Sequence, residues 1–186
     1  GGAGFVGSYL TEKLILEGHN VEIIDNLSTG LERNLTKVKE NSRLNVHVDT
    51  VMNEELLDSL VKKSDVIFHL AAAVGVRYVI DNPLKSLEIN VKGTELILRL
   101  ADKYKKQILI TSTSEIYGKN EHAPFSEDHD RLLGPTTITR WGYATSKAFD
   151  EFLALAYHRE KQLPLVIVRL FNTVGPKQSS RYGMVI

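Results

Sequence analysis

The chain has 186 residues, 23 Lys and Arg against 23 Asp and Glu, 42% apolar residues and no cysteine. This is the composition of one ordinary soluble domain, with no net field to draw it to nucleic acid or an anionic membrane. Without cysteine there are no disulfides, thiolate metal sites or cysteine nucleophile, and with no apolar run approaching the ~18 residues of a membrane span, a cytoplasmic protein is expected.

The chain opens on Gly1-Gly2-Ala3-Gly4, a turn with no strand before it, and closes on the apolar Gly183-Met184-Val185-Ile186. Both ends read as edges cut from a longer polypeptide, the last residues beginning a substrate-binding region. Residues 5–17 place Phe5, Tyr9, Leu10, Leu14 and Leu16 at helical spacing, and Gly18 suits the position after a helix end. Residues 21–25 form a strand ending in Asp25, followed by polar turn chemistry at 26–30. A second strand is expected at 44–48, then Asn53 as a cap for a helix at 54–61. Residues 65–70 form a buried strand running into Ala71-Ala72-Ala73.

Pro83 suits the first turn of a helix over 83–104, which Gly93 weakens without forbidding. Residues 107–110 form a strand ending in Thr111-Ser112-Thr113-Ser114, and 119–139 form a polar loop. A long helix covers 143–162, Pro164 stops it, and the last strand is Leu165–Leu170. Apolar strands alternating with helices predict an α/β fold, a doubly wound parallel sheet covered on both faces, with ligands at the carboxyl ends of the strands.

Four loops at strand ends should therefore meet in one crevice. Gly1, Gly4 and Gly7 fit G-x-x-G-x-x-G, and Gly2, Gly4 and Gly7 fit G-x-G-x-x-G. Glycines let a backbone approach a pyrophosphate, whose charge meets the N–H groups at a helix start. Asp25, 18 residues after Gly7, is placed to accept hydrogen bonds from an adenosine ribose, which favours NAD over NADP; alternatively it caps the turn at Asn26.

Tyr143 and Lys147 are four apart and share a helix face, as do Tyr9/Lys13 and Tyr157/Lys161. Only the first pair begins a helix that comes after a strand end. A phenol with an ordinary pKa of about 10 needs a neighbouring cation to serve as a base near neutrality, here Lys147 with an oxidised nicotinamide. Thr113 supplies a second hydroxyl to hold a substrate alcohol.

Seven ordered blocks now resemble the extended short-chain dehydrogenase/reductases that act on nucleotide sugars. They are Gly-Gly-Ala-Gly-Phe-Val-Gly at 1–7, Asp-Asn-Leu-Ser-Thr-Gly at 25–30, His-Leu-Ala-Ala at 69–72, Asn-Val-Lys-Gly-Thr at 90–94, Thr-Ser-Thr-Ser-Glu-Ile-Tyr-Gly at 111–118, Tyr-Ala-Thr-Ser-Lys at 143–147 and Arg-Leu-Phe-Asn-Thr-Val-Gly-Pro at 169–176. The resemblance implies tightly bound NAD that oxidises a sugar hydroxyl, usually at the 4-position, and later returns the hydride. It makes Tyr143 the base, Lys147 the group that lowers its pKa and holds the nicotinamide ribose, and Thr113 the partner of the reacting hydroxyl. Cofactor contacts are implied at Gly1, Gly4, Phe5, Val6, Gly7, Asp25, Asn26, Ser28, Thr29, Gly30, Asp49, Leu70, Ala71, Ala72 and Asn90, and substrate contacts at Ser114 and Asn172. A nucleotide-diphosphate sugar, most simply a UDP-sugar, is the implied substrate. The family's first strand and its smaller C-terminal domain have no counterpart here.

The fate of the oxidised sugar turns on the residues after Thr113. Similar 4,6-dehydratases carry Asp-Glu there, whereas this chain has Ser114-Glu115, as in UDP-glucuronate decarboxylases. The blocks at 143–147 and 169–176 read more like 4-epimerases, which need no further acid or base, and 4-epimerisation is the narrow expectation. Glu115 is then either catalytic or a loop carboxylate. A non-catalytic NAD-binding regulatory module is the competing class.

The acids and histidines at 122–130 read as a solvated loop rather than a metal site, and no metal is expected; His69 reads as a core histidine. Phe149, Phe152, Leu153, Leu155 and Ala156 make the 143–162 helix apolar on more than one side, so with the 83–104 helix it is expected to form a four-helix homodimer contact.

Overall fold

The computed structural model describes residues 1–179; the apolar run Gly183 to Ile186 lies outside them. Five parallel strands alternate with helices: α1 (Phe5–Leu16), β1 (Val21–Ile24), β2 (Leu44–His47), α2 (Glu54–Lys63), β3 (Val66–His69), α3 (Val76–Asp81), α4 (Pro83–Lys103), β4 (Gln107–Thr113), α5 (Trp141–Lys161) and β5 (Leu165–Leu170). Two 3₁₀ turns, Glu32–Leu35 and Ser114–Tyr117, and the short α3 have no counterpart in the elements expected from sequence. Each is only four to six residues long, too short for a helical period to register.

β1 pairs with β2, with Val21 opposite Leu44 and Ile24 opposite His47. β4 lies between β3 and β5, with Phe68 and Val166 both opposite Leu109. Because paired residues of parallel strands share a face, Ile108 and Ile110 point one way and Phe68, Leu109 and Val166 the other. The first face is the core. Leu57 and Val61 of α2, Leu96, Ile97, Leu98, Leu100 and Ala101 of α4, and Ala154 of α5 bury against Ile108 and Ile110.

A second cluster joins Ala3, Ile15, Ile23, Leu35, Val38 and Leu44 around α1, β1 and β2. On the other face of β3 and β5, Val66, Phe68 and Val166 are exposed among the described residues.

The helix ends obey their local chemistry. Asn53 caps α2 by accepting from the Leu56 N–H, Pro83 sits in the first turn of α4, and Gly18 takes the left-handed conformation after α1 with φ of 90°. Among the described residues no helix is long and apolar enough to cross a membrane.

The loop after β4 is fastened by Arg169 of β5. Its guanidinium takes both Glu151 oxygens at 3.0 and 2.8 Å, the Tyr117 hydroxyl at 2.9 Å and the Glu127 carbonyl at 2.9 Å. A fork of this kind binds carboxylate in two parallel hydrogen bonds, which a lysine does not reproduce. Tyr117 in turn stacks on Phe125 at 4.6 Å, so the polar loop is sewn down at its middle.

Several polar groups inside the core are paired across elements. His69 at the end of β3 is buried and meets the Thr94 hydroxyl of α4 at 3.2 Å. Burial, with the Lys147 charge second, pushes its pKa down to about 3. The unfolded chain binds this proton near pH 6.5, so the folded state is disfavoured progressively as pH falls from 6.5 to about 3. Stability lost over that window is of the order of 3–5 kcal/mol. Denaturant unfolding at a series of pH values should show the loss in the parent and a flatter dependence in His69→Gln. Parallel curves would show that His69 is not the titrating group.

Candidate active site

α1 begins at Gly4 with no side-chain cap and no acidic residue in its first turn. Its first N–H groups and positive dipole end are therefore left for an anion. Gly7 is where the backbone demands glycine: a Cβ there would lie 2.1 Å from the Gly1 carbonyl oxygen. Gly1 is equally tight, since its Cβ would lie 2.6 Å from the Ala71 nitrogen, so the turn packs directly on the end of β3.

Asp25 is buried and fixes this turn. Oδ2 accepts the Ala3 N–H and Oδ1 the Leu27 N–H, both at 2.9 Å. The carboxylate thus organises the glycine loop and the next turn together, and it also lines a cavity of about 110 Å³ with Gly1, Gly4, Asn26, Ser28, Thr29, Asp49 and Ala71. Asp49 is held by the Thr50 N–H at 2.6 Å and the Asn53 amide at 2.8 Å.

A larger cavity of about 260 Å³ adjoins it through Gly1, Gly4, Leu70, Ala72 and Val74. Phe5, Val6, Gly7, Thr113, Glu115, Tyr143, Lys147 and Asn172 all line it, so the loops after the strands do converge. Tyr143 and Lys147 lie one turn apart near the start of α5. Thr113 ends β4, and its hydroxyl oxygen accepts the Glu115 N–H at 3.2 Å, leaving the hydroxyl proton to donate elsewhere. Half-buried Glu115 has its pKa raised by burial, an effect the Arg140 charge partly offsets.

Three expected contacts sit elsewhere. The Asn90 side chain is buried behind the strand ends, where it bonds the Ala73 N–H at 2.7 Å, the Ala73 carbonyl at 3.3 Å and the Ser146 hydroxyl at 3.3 Å. It holds the walls rather than lining either cavity. Ser114 turns into the 3₁₀ segment and Gly30 packs against the Asp25 carboxylate, so neither lines the two cavities. Lining residues that sequence reasoning missed are Arg140 and Gln178, with Val74, Gly75 and Val79 around α3. Arg140 precedes Tyr143 by three residues, and that spacing was the available signal.

A helix start stripped of acids and side chains fits a pyrophosphate, and the acid-lined second cavity fits an adenosine. With a hydroxyl, a phenol and an amine lining the larger cavity, the fold defines a dinucleotide-binding domain of the extended short-chain dehydrogenase/reductase class. The sequence matches the GDP-mannose 4,6 dehydratase family over residues 1–185, and the chain belongs to that family.

It is 42% identical over 177 residues to the UDP-N-acetyl-alpha-D-glucosaminuronate decarboxylase of Bacillus cytotoxicus, covering 95% of this chain and 54% of that protein. The chain thus spans about half the length of this curated relative. Among solved structures, the dTDP-glucose 4,6-dehydratase DesIV of Streptomyces venezuelae, with NAD bound, superposes with a TM-score of 0.88 at 30% identity, covering 97% of this chain and 56% of that one. The UDP-N-acetylglucosamine 4-epimerase of Methanobrevibacter ruminantium superposes with a TM-score of 0.87 at 29% identity, over 96% of this chain and 55% of that one.

The glycine turn gives a graded test. Gly7→Ala forces the Gly1 carbonyl away and should cost about 1–3 kcal/mol. Gly4→Ala, whose nearest contact would be 3.3 Å, should cost less. Equal denaturation midpoints for the two variants would contradict this account of the turn.

Proposed function

We propose that this chain is the dinucleotide-binding domain of a cytoplasmic enzyme that uses NAD to oxidise the 4-hydroxyl of a UDP-hexuronate and then releases carbon dioxide. The observation that carries it is Glu115, a carboxyl of raised pKa in the same cavity as Thr113, Tyr143 and Lys147 and under the charge of Arg140. The 42% identity to a uronate decarboxylase supports the same reading and moves it ahead of the epimerase that the sequence narrowly favoured.

When bound, NAD supplies the hydride acceptor, and later the donor, at the sugar carbon. The glycine turn and the α1 N-terminus receive its pyrophosphate, and Asp25 and Asp49 its adenosine. The Thr113 hydroxyl holds the substrate oxygen while the Tyr143 phenolate takes the hydroxyl proton, assisted by the Lys147 ammonium. The resulting ketone is β to the uronate carboxylate. The bond to that carboxylate then breaks, its electron pair passes into the enolate, carbon dioxide departs, and a proton is added to the ring carbon. Glu115, whose burial favours the protonated form, is the cavity acid suited to deliver it. The exposed Arg140 at the cavity edge has the sign needed to attract a uronate.

Epimerisation is the second reading, favoured by the equally close fold of the 4-epimerase and by its needing no added acid. The intact protein should be incubated with NAD and, separately, UDP-glucuronate, UDP-N-acetylglucosaminuronate, UDP-glucose and UDP-N-acetylglucosamine, with products separated and weighed. A product lighter by carbon dioxide is expected; one of unchanged mass and new retention would make the enzyme an epimerase, and one lighter by water a dehydratase. Tyr143→Phe should retain NAD but lose roughly 10²–10⁴-fold in turnover. Undiminished turnover would remove Tyr143 as the base, and a parent that binds NAD but converts no sugar would favour a regulatory module.

The same reading includes a homodimer. Leu84 and Leu87 of α4 and Phe149, Phe152 and Leu155 of α5 are exposed, Phe152 by 61%, and the two helices pack side by side. Apolar residues left on paired helices form a contact for a second copy. Phe152→Glu should halve the mass measured by light scattering. A monomeric parent, or an unaltered mass in the variant, would rule this interface out.

A further inference from the structure

One buried charge beside the site has no part in the oxidation or the release of carbon dioxide. Lys147 Nζ lies 2.8 Å from Oδ2 of Asp150, one turn further along α5, and the two side chains are only 3% and 1% exposed. Among the described residues Asp150 is the carboxylate in ion-pair contact with Lys147, and its Oδ1 accepts no hydrogen bond.

The groups around the pair offer it little other compensation. From β3, His69 approaches as a neutral imidazole, its pKa held near 3. From α4, the Thr94 hydroxyl meets His69 and only partly offsets the burial that raises the Asp150 pKa. From β5, the Arg169 charge is taken up by Glu151, whose own charge also opposes ionisation of Asp150. Elsewhere in the lining of the cavity, the Arg140 charge partly offsets the burial that raises the Glu115 pKa.

A buried ion pair does little for stability that an apolar pair would not do as well. This pair differs in that one member also lines the cavity beside Tyr143. We propose that Asp150 is a positioning residue of this site: its carboxylate holds the Lys147 ammonium at the cavity floor and, by cancelling part of that charge, sets the pH at which Tyr143 ionises. The inference rests on the proposed function, in which Tyr143 is the base and Lys147 its cation.

The direction is set by the signs of the charges. A cation favours the phenolate and an anion opposes it. Asp150 therefore keeps the Tyr143 pKa higher than Lys147 alone would, and removing its charge lowers that pKa. The second function, holding Lys147, means that the amine gains freedom in the same variants.

The test uses the intact protein with NAD bound. Tyrosinate absorption is titrated in the parent, Asp150→Asn and Asp150→Ser, and each curve is subtracted from that of its Tyr143→Phe counterpart to isolate Tyr143. The expected midpoint is lower by about one pH unit in both Asp150 variants, with the acid limb of the turnover profile moving by the same amount. At a pH below both midpoints this is about a tenfold larger tyrosinate fraction. An unchanged or raised midpoint in either folded variant overturns the proposal, as does loss of the fold in both, which would make Asp150 a structural residue. Failure of the base reading is distinguishable. There Tyr143→Phe would turn over like the parent, while the tyrosinate midpoint would still report whether Asp150 acts on Tyr143.

Discussion

The contact on which the crevice depends is the one between the Asp25 carboxylate and the Ala3 N–H. A glycine turn has few side chains with which to hold itself, and its conformational freedom makes it costly to order. Asp25 follows β1 into the core and reaches back 22 residues to bond the middle of that turn, while its other oxygen bonds the Leu27 N–H. One buried carboxylate thus locates the start of α1, the polar turn after β1 and the boundary between the two cavities. Asn90 performs the matching task on the other wall, tying Ala73 to Ser146 of α5 so that the end of β3 and the helix bearing Tyr143 keep a fixed spacing.

These clamps put charges where water cannot screen them. Lys147, Asp150 and His69 lie within one buried layer below the larger cavity, and each would be unfavourable there alone. The structure meets the cost by pairing Lys147 with Asp150 and by leaving His69 neutral against Thr94. Arg169 and Glu151 neutralise each other in a second layer, so that the phenol lies near one incompletely compensated cation. Acid weakens this arrangement through His69, which must take up a proton in a place where burial disfavours the charge.

Much of this could be read in the residues, and the exceptions have physical causes. The long elements were legible because apolar periodicity persists over many turns in α4 and α5 and β-branched runs mark the strands. β4 runs on through Thr113 rather than ending at Ile110, because Thr111 and Thr113 are β-branched and pair with Val168 and Leu170 of β5. The site residues were legible where a backbone or charge requirement fixes the residue type, as at Gly7, Asp25 and Lys147. The hydrogen bonds of Asn90 were not legible, because a block of sequence says that an amide is needed without saying which backbone it bonds. Asp150 escaped notice because an acid in an amphipathic helix normally faces solvent, and only the packing of α5 on β4 and α4 shows that it does not.

The two cavities also divide the work of specificity. Everything that the proposed oxidation uses, from the glycine turn to Lys147, comes from strand ends and helix starts locked into the core, and rigid elements of this kind hold reacting groups more accurately than loops do. In the proposed reaction the fate of the keto-sugar depends on Glu115 in a 3₁₀ turn and on Arg140 just before α5, both on the rim of the fastened 118–139 segment. On that reading, whether the keto-sugar loses carbon dioxide before the hydride returns is decided in a short connection, with the core and the cofactor cradle untouched. That separation accounts for the close superposition of this chain on both an epimerase and a dehydratase. The overall fold does not distinguish the reactions, which is why the proposal assigns that task to side chains at the mouth of the larger cavity.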